Sequence, residues 1–385
     1  MQYRKFGNTG IEVFPLGFGM MRLPLINGES GTPDCDKTLL DVDTSVAMVR
    51  EAVDQGLNYV DTAYPYLGGM SEVIAGRALE GGRREKVYIA TKAPLWGLRK
   101  EDDFDTILSE QLKRLKTDHI DFYLLHSLDR SLWQNKVLRY DLMEKLFAAK
   151  RDGRVRHVGF SFHDNADFFK EIADYAPWDL CLIQLNYLDI NFQAGLDGLR
   201  YAAAKGMAVA IMEPLRGGYL AGVPSDVEEI FKRANSEKTP VEWALDFLWD
   251  MPEVSVVLSG MTTPVQAMSN LKYAKRSSVG MLSEAERAAL SAAREQFGKY
   301  GVVPCTGCAY CLPCPERIAI PNNFFVYNEY KTHGDLEKAR DIYKKRIPLF
   351  GERASQCVGC GSCESLCPQH IEIGKWMLEV DKLLG

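Results

Sequence analysis

The sequence lacks any run of about 18 consecutive apolar residues, the length a helix needs to cross a bilayer, so no membrane span is expected. Its opening segment, MQYRKFGNTG, holds no apolar stretch of the kind that makes a secretory signal. A surplus of positive charge is missing as well: 46 Lys and Arg stand against 52 Asp and Glu, a formal net charge of −6. That balance argues against nucleic acid as a partner, because neutralising phosphates needs a basic face. Cysteine is scarce through most of the chain, with only Cys35 and Cys181 ahead of position 305. Such a distribution does not describe a secreted disulfide framework, and the expected location is the cytoplasm. Cys35 reads as a surface-loop thiol and Cys181, which opens an apolar run, as core filler.

What is present is a chain of 385 residues, 46% hydrophobic and 25% charged, enough for a substantial core. Short apolar runs at 15–19, 59–61, 87–91, 120–126, 155–160, 182–184, 207–212 and 255–258 read as strands. Amphipathic helical stretches fall between them, as at 45–55, 104–114, 142–151, 195–204 and 265–273. Eight strand–helix units over about 260 residues predict an α/β fold, a closed (β/α)8 barrel of parallel strands. Ahead of it, 3–6, the turn Gly7-Asn8-Thr9-Gly10 and 11–14 read as a hairpin placed to plug the barrel bottom. After it, 283–297 reads as a helix with Ser283 as N-cap and Glu286 as its capping-box partner. Composition then shifts abruptly to Gly, Pro and Cys, which puts the domain boundary between 1–298 and 299–385.

In barrels of this kind chemistry sits at the C-terminal ends of the strands. The second strand ends in Asp61, within DTAYPY, which brings Tyr66 five residues later; the third ends in Lys92, the fourth in His126. An acid, a phenol, an amine and an imidazole therefore meet on one rim. Singly, each is more often a solvated rim or packing residue; together they have a use. A carbonyl that accepts a hydride needs a proton at that moment. A lysine ammonium lowers a nearby tyrosine pKa, an aspartate keeps that lysine charged, and a histidine polarises the carbonyl.

The segments FGNTGIEVFPLGFGMMRLP, NYVDTAYPYLGGMSEVIAGRAL, IATK, DFYLLHSLD, GRVRHVGFSFH, QLNYLD, MEPLRGGYL and VVLSGMTTPVQAMSN, in this order, resemble the aldo-keto reductases over residues 1–297. The resemblance implies an NADPH- or NADH-dependent reductase acting on a small-molecule aldehyde or ketone. Tyr66 would be the proton donor, Lys92 and Asp61 its tuning pair, and His126 the carbonyl-orienting residue. It further implies that Ser161 and Gln184 hold the nicotinamide carboxamide, with Met20, Met21 and Met212 lining that end. Pro214, Leu215 and Gly217, in the segment 214–218, would cover the pyrophosphate. Ser259, Gly260, Met261, Thr262, Gln266 and Asn270 would hold the adenosine end, where free amides at a helix N-terminus suit a phosphate. The chain departs from the family pattern at Phe162-His163, where Asn often follows the serine, and at Met212, where an aromatic is usual. No arginine for a 2′-phosphate lies beside Thr262 or Gln266. Loops 94–100 and 128–136, with Trp96 and Trp133, would wall the substrate pocket.

The C-terminal segment holds Cys305, Cys308, Cys311 and Cys314 before Pro315, then Cys357, Cys360, Cys363 and Cys367 before Pro368. Three cysteines spaced by two wrap one cubane, while a fourth followed by proline ligates the other. Structural zinc more often uses separated C-x-x-C pairs. The segment resembles two-cluster bacterial ferredoxins, which implies two 4Fe–4S clusters. Cys305, Cys308, Cys311 and Cys367 would hold one; Cys357, Cys360, Cys363 and Cys314 the other. The insertion 322–346 reads as helical, and so short a module is expected to fold around its clusters rather than around a core.

Hydride chemistry moves two electrons and a cluster moves one, so three readings stand. The first is a carbonyl reductase whose clusters serve stability, sensing or an electron-transfer partner. The second is an electron-transfer protein with a flavin in the barrel mouth. The third is a regulatory protein that binds nicotinamide cofactor and turns over poorly.

Overall fold

The structure, a computed structural model, describes residues 2–32, 35–100 and 102–385. Strands β1 (Arg4–Lys5) and β2 (Glu12–Val13) form an antiparallel hairpin. Eight parallel strands follow: β3 (Leu16–Gly19), β4 (Tyr59–Asp61), β5 (Tyr88–Ala93), β6 (Ile120–Leu128), β7 (Val155–Phe162), β8 (Leu180–Gln184), β9 (Ala208–Met212) and β10 (Val256–Gly260). They close into a barrel in chain order, with β10 returning to pair with β3. All eight expected strands are there, but several run longer than their apolar stretches. In β6 the ladder continues past His126 to Leu128, through a register shift after Leu125 and a positive φ of 53° at Ser127. Such irregularities re-aim a side chain without ending the strand.

The barrel interior is filled by small and branched side chains, among them Ala90, Leu124, Leu182, Ala210 and Val256, all buried. The hairpin seals one end. Phe6 is fully buried with its ring 4.7 Å from Phe122 and 5.4 Å from Tyr59, worth roughly 2 kcal/mol of burial. Gly7 makes this approach possible: its φ is +55°, and a Cβ there would stand 2.4 Å from the Ala208 nitrogen. Among the described residues no helix is long and apolar enough to cross a membrane.

Contacts divide the chain into two compact units, Met1–Pro214 with Ala244–Leu282, and Leu215–Trp243 with Ser283–Gly385. In the second, Glu284–Gly298 is a helix opened by the expected Ser283–Glu286 capping box. The stretch 322–346 is two helices, Ile320–His333 and Leu336–Lys345, broken where Gly334 takes φ +79°. With the helix Ile373–Leu384 they enclose a hydrophobic cluster that includes Val303, Phe324, Tyr343 and Met377. This overturns the expectation of a module without a core. Ile373, Met377, Val380 and Leu384 recur at helical spacing and bury one face of the last helix.

Candidate active site

Asp61 closes β4 and Lys92 lies next to the end of β5, so strand pairing alone brings them to one rim. Lys92 Nζ donates to Asp61 Oδ1 at 2.6 Å and to the Thr62 carbonyl at 2.7 Å, and Lys92 is 1% exposed. Burial raises the Asp61 pKa and lowers that of Lys92, while each charge pulls the other back. Tyr66 stands on a short turn whose next residues, Leu67 and Gly68, both adopt left-handed backbone before the helix Met70–Ala78 begins. That turn folds the phenol back over the rim, with Lys92 Nζ 5.0 Å from its ring centroid.

His126 completes the group. Its ring meets Tyr66 edge-on at 5.8 Å and lies 4.8 Å from Trp96. Burial, reinforced by Lys92 and His163, holds its pKa well below the usual imidazole range, so the ring is neutral. The four side chains singled out at the strand ends are therefore neighbours, and Trp96 joins them. Trp133 does not; it packs against Tyr175 at 4.7 Å. A neutral imidazole, a phenol and a buried ammonium can together donate hydrogen bonds, and a proton, to one oxygen.

The residues expected around a nicotinamide lie on adjacent strands. Ser161, on β7, accepts the Ser127 amide at 2.7 Å, and Gln184, ending β8, is paired with Met212 on β9. A hydroxyl and a carboxamide on adjacent strands, with apolar Met212 paired to Gln184, suit a ring that carries an amide. At the other end Asn270 donates to Ser259 at 3.1 Å. The helix Pro264–Arg276 is closed by a capping box in which Gln266 accepts the amides of Thr262 and Thr263. The amides expected to be free for a phosphate are thus bonded within the chain. Arg22 packs its stem against Gly260, where a Cβ would approach its Cγ at 2.8 Å, and Thr262 donates to the Arg22 carbonyl. Sequence reasoning passed over Arg22 because it comes from the opposite end of the barrel sequence. Pro214 belongs to the first compact unit, Leu215 and Gly217 to the second.

In the second unit Cys305, Cys308, Cys311 and Cys367 line a single pocket, with Ile320 and Phe324 among its apolar walls. Among the described residues no three potential ligands close on the point a lone metal ion would need. Burial, with Cys308, Cys305 and Cys367 as neighbours, pushes the Cys311 thiol far up. Four thiols facing one cavity ionise together only if cationic metal fills it, so this pocket fits an iron–sulfur cluster. Burial, then Glu364, Cys314 and Cys357, push the Cys363 thiol up to about 11, while Cys360 is exposed. Gly217, at φ +64°, lies so near the Thr306 carbonyl that a Cβ would stand 2.0 Å from its oxygen.

The aldo/keto reductase family matches residues 15–287, and a 4Fe-4S dicluster domain matches 304–372. The chain is similar to an L-galactose dehydrogenase of Arabidopsis thaliana, 30% identical over 74% of this chain and 93% of the relative. It is also similar to an NADH-specific methylglyoxal reductase of Escherichia coli, 27% identical over 69% and 91%. An aldo-keto reductase from Bacillus halodurans in its holo form shares the fold at TM-score 0.61, with 23% identity over 76% and 96% of the two chains. Barrel, rim chemistry and sequence agree, and the chain belongs to the aldo/keto reductase family, followed by a 4Fe-4S dicluster domain.

Proposed function

We propose that the protein is an NAD(P)H-dependent reductase of a small aldehyde or ketone, with Tyr66 as the proton donor. The observation that carries this reading is the buried group of Asp61, Lys92, Tyr66 and His126 at one rim. Bound nicotinamide supplies a hydride to the carbonyl carbon. His126, neutral, donates a hydrogen bond that orients the carbonyl oxygen, and Tyr66 gives that oxygen its proton. Lys92 favours the phenolate that remains, and Asp61 keeps Lys92 charged. Trp96, 4.8 Å from His126, supplies an aromatic wall to the pocket. Ser161 and Gln184 hold the carboxamide; Met20, Met21 and Met212 line the nicotinamide end, and Pro214 the pyrophosphate. Ser259, Gly260, Met261, Thr262, Gln266 and Asn270 receive the adenosine end. A relative named for methylglyoxal reduction and another for L-galactose dehydrogenation support a carbonyl–alcohol pair as substrate and product.

The reading extends to two 4Fe–4S clusters in 299–385, one held by Cys305, Cys308, Cys311 and Cys367, the other by Cys357, Cys360, Cys363 and Cys314. The shared cavity supports the first set. The barrel domain is then 1–298, and the cytoplasm, which keeps thiols reduced, is the fitting location. Steady-state reduction of an aldehyde panel tests the proposal: activity that disappears in Tyr66→Phe while iron content holds supports it, and full activity refutes it.

A further inference from the structure

Glu72, on the helix Met70–Ala78, is fully buried and has no part in the rim chemistry described above. Its two oxygens face different partners. Oε1 accepts the Thr91 hydroxyl and the Gln111 side-chain amide, each at 2.6 Å. Oε2 accepts Arg114 Nη1 at 3.2 Å. The same Nη1 donates to the Tyr64 carbonyl at 3.2 Å, and the guanidinium covers the Tyr64 ring at 4.2 Å. A Cβ on Gly69 would come within 3.0 Å of that nitrogen, so Arg114 braces both ends of the segment 64–69 that carries Tyr66. Gln111 Nε2 also donates to the Lys92 carbonyl at 3.1 Å, while its Oε1 accepts the Tyr123 hydroxyl at 2.7 Å. One carboxylate is thus tied along one arm to the Tyr66 turn and along the other to the Lys92 backbone.

An ionised carboxylate accepts at both oxygens, and each of these partners donates to it. Loss of any one bond would leave a buried polar group unsatisfied, so the network holds a single arrangement. We propose that Glu72 is a positioning residue: through Arg114 and Gln111 it fixes the distance between the Tyr66 phenol and the Lys92 ammonium. The inference rests on the reading above that these two groups deliver the proton. From the surrounding strands the phenol meets Lys92 of β5, paired with Asp61 of β4, and the neutral His126 of β6. A phenol beside an ammonium gives up its proton more readily the nearer that charge is held.

The test follows reduction by NADPH of whichever panel aldehyde is turned over fastest, from neutral to alkaline pH, in the full-length protein with its clusters. In Glu72→Gln the shape is kept but one end of the side chain becomes a donor. That end meets either Arg114 or Gln111 Nε2, both donors, so one arm opens. kcat is expected to fall about 10- to 100-fold, the scale of effect that a displacement of about 1 Å produces. Reduction needs the protonated phenol, so kcat declines on the alkaline side, and that decline is expected to move to higher pH as the ammonium recedes. The dissociation constant for NADPH, titrated by fluorescence, is expected to stay as in the wild type. Arg114→Lys, whose single ammonium cannot meet Tyr64, Glu72 and Glu110 together, gives the same readout if Glu72→Gln folds poorly. A purely structural role would lower the urea midpoint but leave kcat and the alkaline limb of the folded molecules in place, and that result overturns the proposal. So does a fall in kcat without movement of the limb, or one accompanied by loss of NADPH affinity. Tyr66→Phe separates the two levels: full activity there means the donor reading itself fails, whereas an inactive Tyr66→Phe beside an unaltered Glu72→Gln removes only the positioning role.

Discussion

The Lys92 ammonium lies 5.0 Å from the centre of the Tyr66 ring. Both side chains are withdrawn from solvent, so the attraction between the ammonium and a developing phenolate is far less screened than it is in water. The same burial would destabilise an unpaired lysine, and Asp61 at 2.6 Å offsets it.

Tyr66→Phe should lower turnover by about 10² to 10⁴-fold, the usual contribution of a positioned proton donor. Lys92→Met should show a comparable loss. Nucleotide affinity, read by fluorescence, should change little in either. Unimpaired turnover in the lysine variant would remove it from the mechanism.

His126 gives a pH prediction. Burial, with Lys92 and His163, lowers its folded-state pKa well below the ordinary value of about 6.5. Between the two values the unfolded chain binds a proton that the folded one does not, so stability falls as pH drops below about 6.5. Urea midpoints at several pH values should show this decline in the wild type and less of it in His126→Gln. Identical slopes would mean the imidazole is charged when folded.

Cys367 is far in sequence from Cys305, Cys308 and Cys311 but lines their cavity. On the proposed assignment, in which each crossover cysteine serves one of two clusters, Cys367→Ser should release about half of the bound iron. Iron and sulfide analysis after anaerobic purification decides the matter; loss of none, or of all, contradicts independent ligand sets.

Gly217→Ala places a methyl group against the Thr306 carbonyl in a backbone conformation that favours glycine. The expected cost is about 1–3 kcal/mol, visible as a lower urea midpoint and faster loss of iron to a chelator. An unaltered midpoint would show that the two loops separate easily.

Asp61, Lys92 and His126 were legible in the sequence because consecutive parallel strands must deliver their ends to one rim. Tyr66 was legible only through its motif, since a left-handed turn at Leu67 and Gly68 swings it inward. The Thr62 carbonyl on Lys92, Trp96 over His126 and Arg22 against Gly260 depend on loops meeting after closure, which no local pattern encodes. The apolar spacing of Ile373, Met377, Val380 and Leu384 carries the last helix in the sequence itself.

Closure of the barrel joins its last strand to its first, and Trp249 reaches back to the Pro15 carbonyl across 234 residues. During synthesis β3 therefore leaves the ribosome long before its outer neighbour exists. Its unpaired edge must wait until β10 emerges, a long-range pairing of the kind that slows folding and invites misassociation. Newly made chains should consequently depend on chaperones that shelter half-built sheets, and they become committed to the native ring only as translation approaches the cysteine-rich segment.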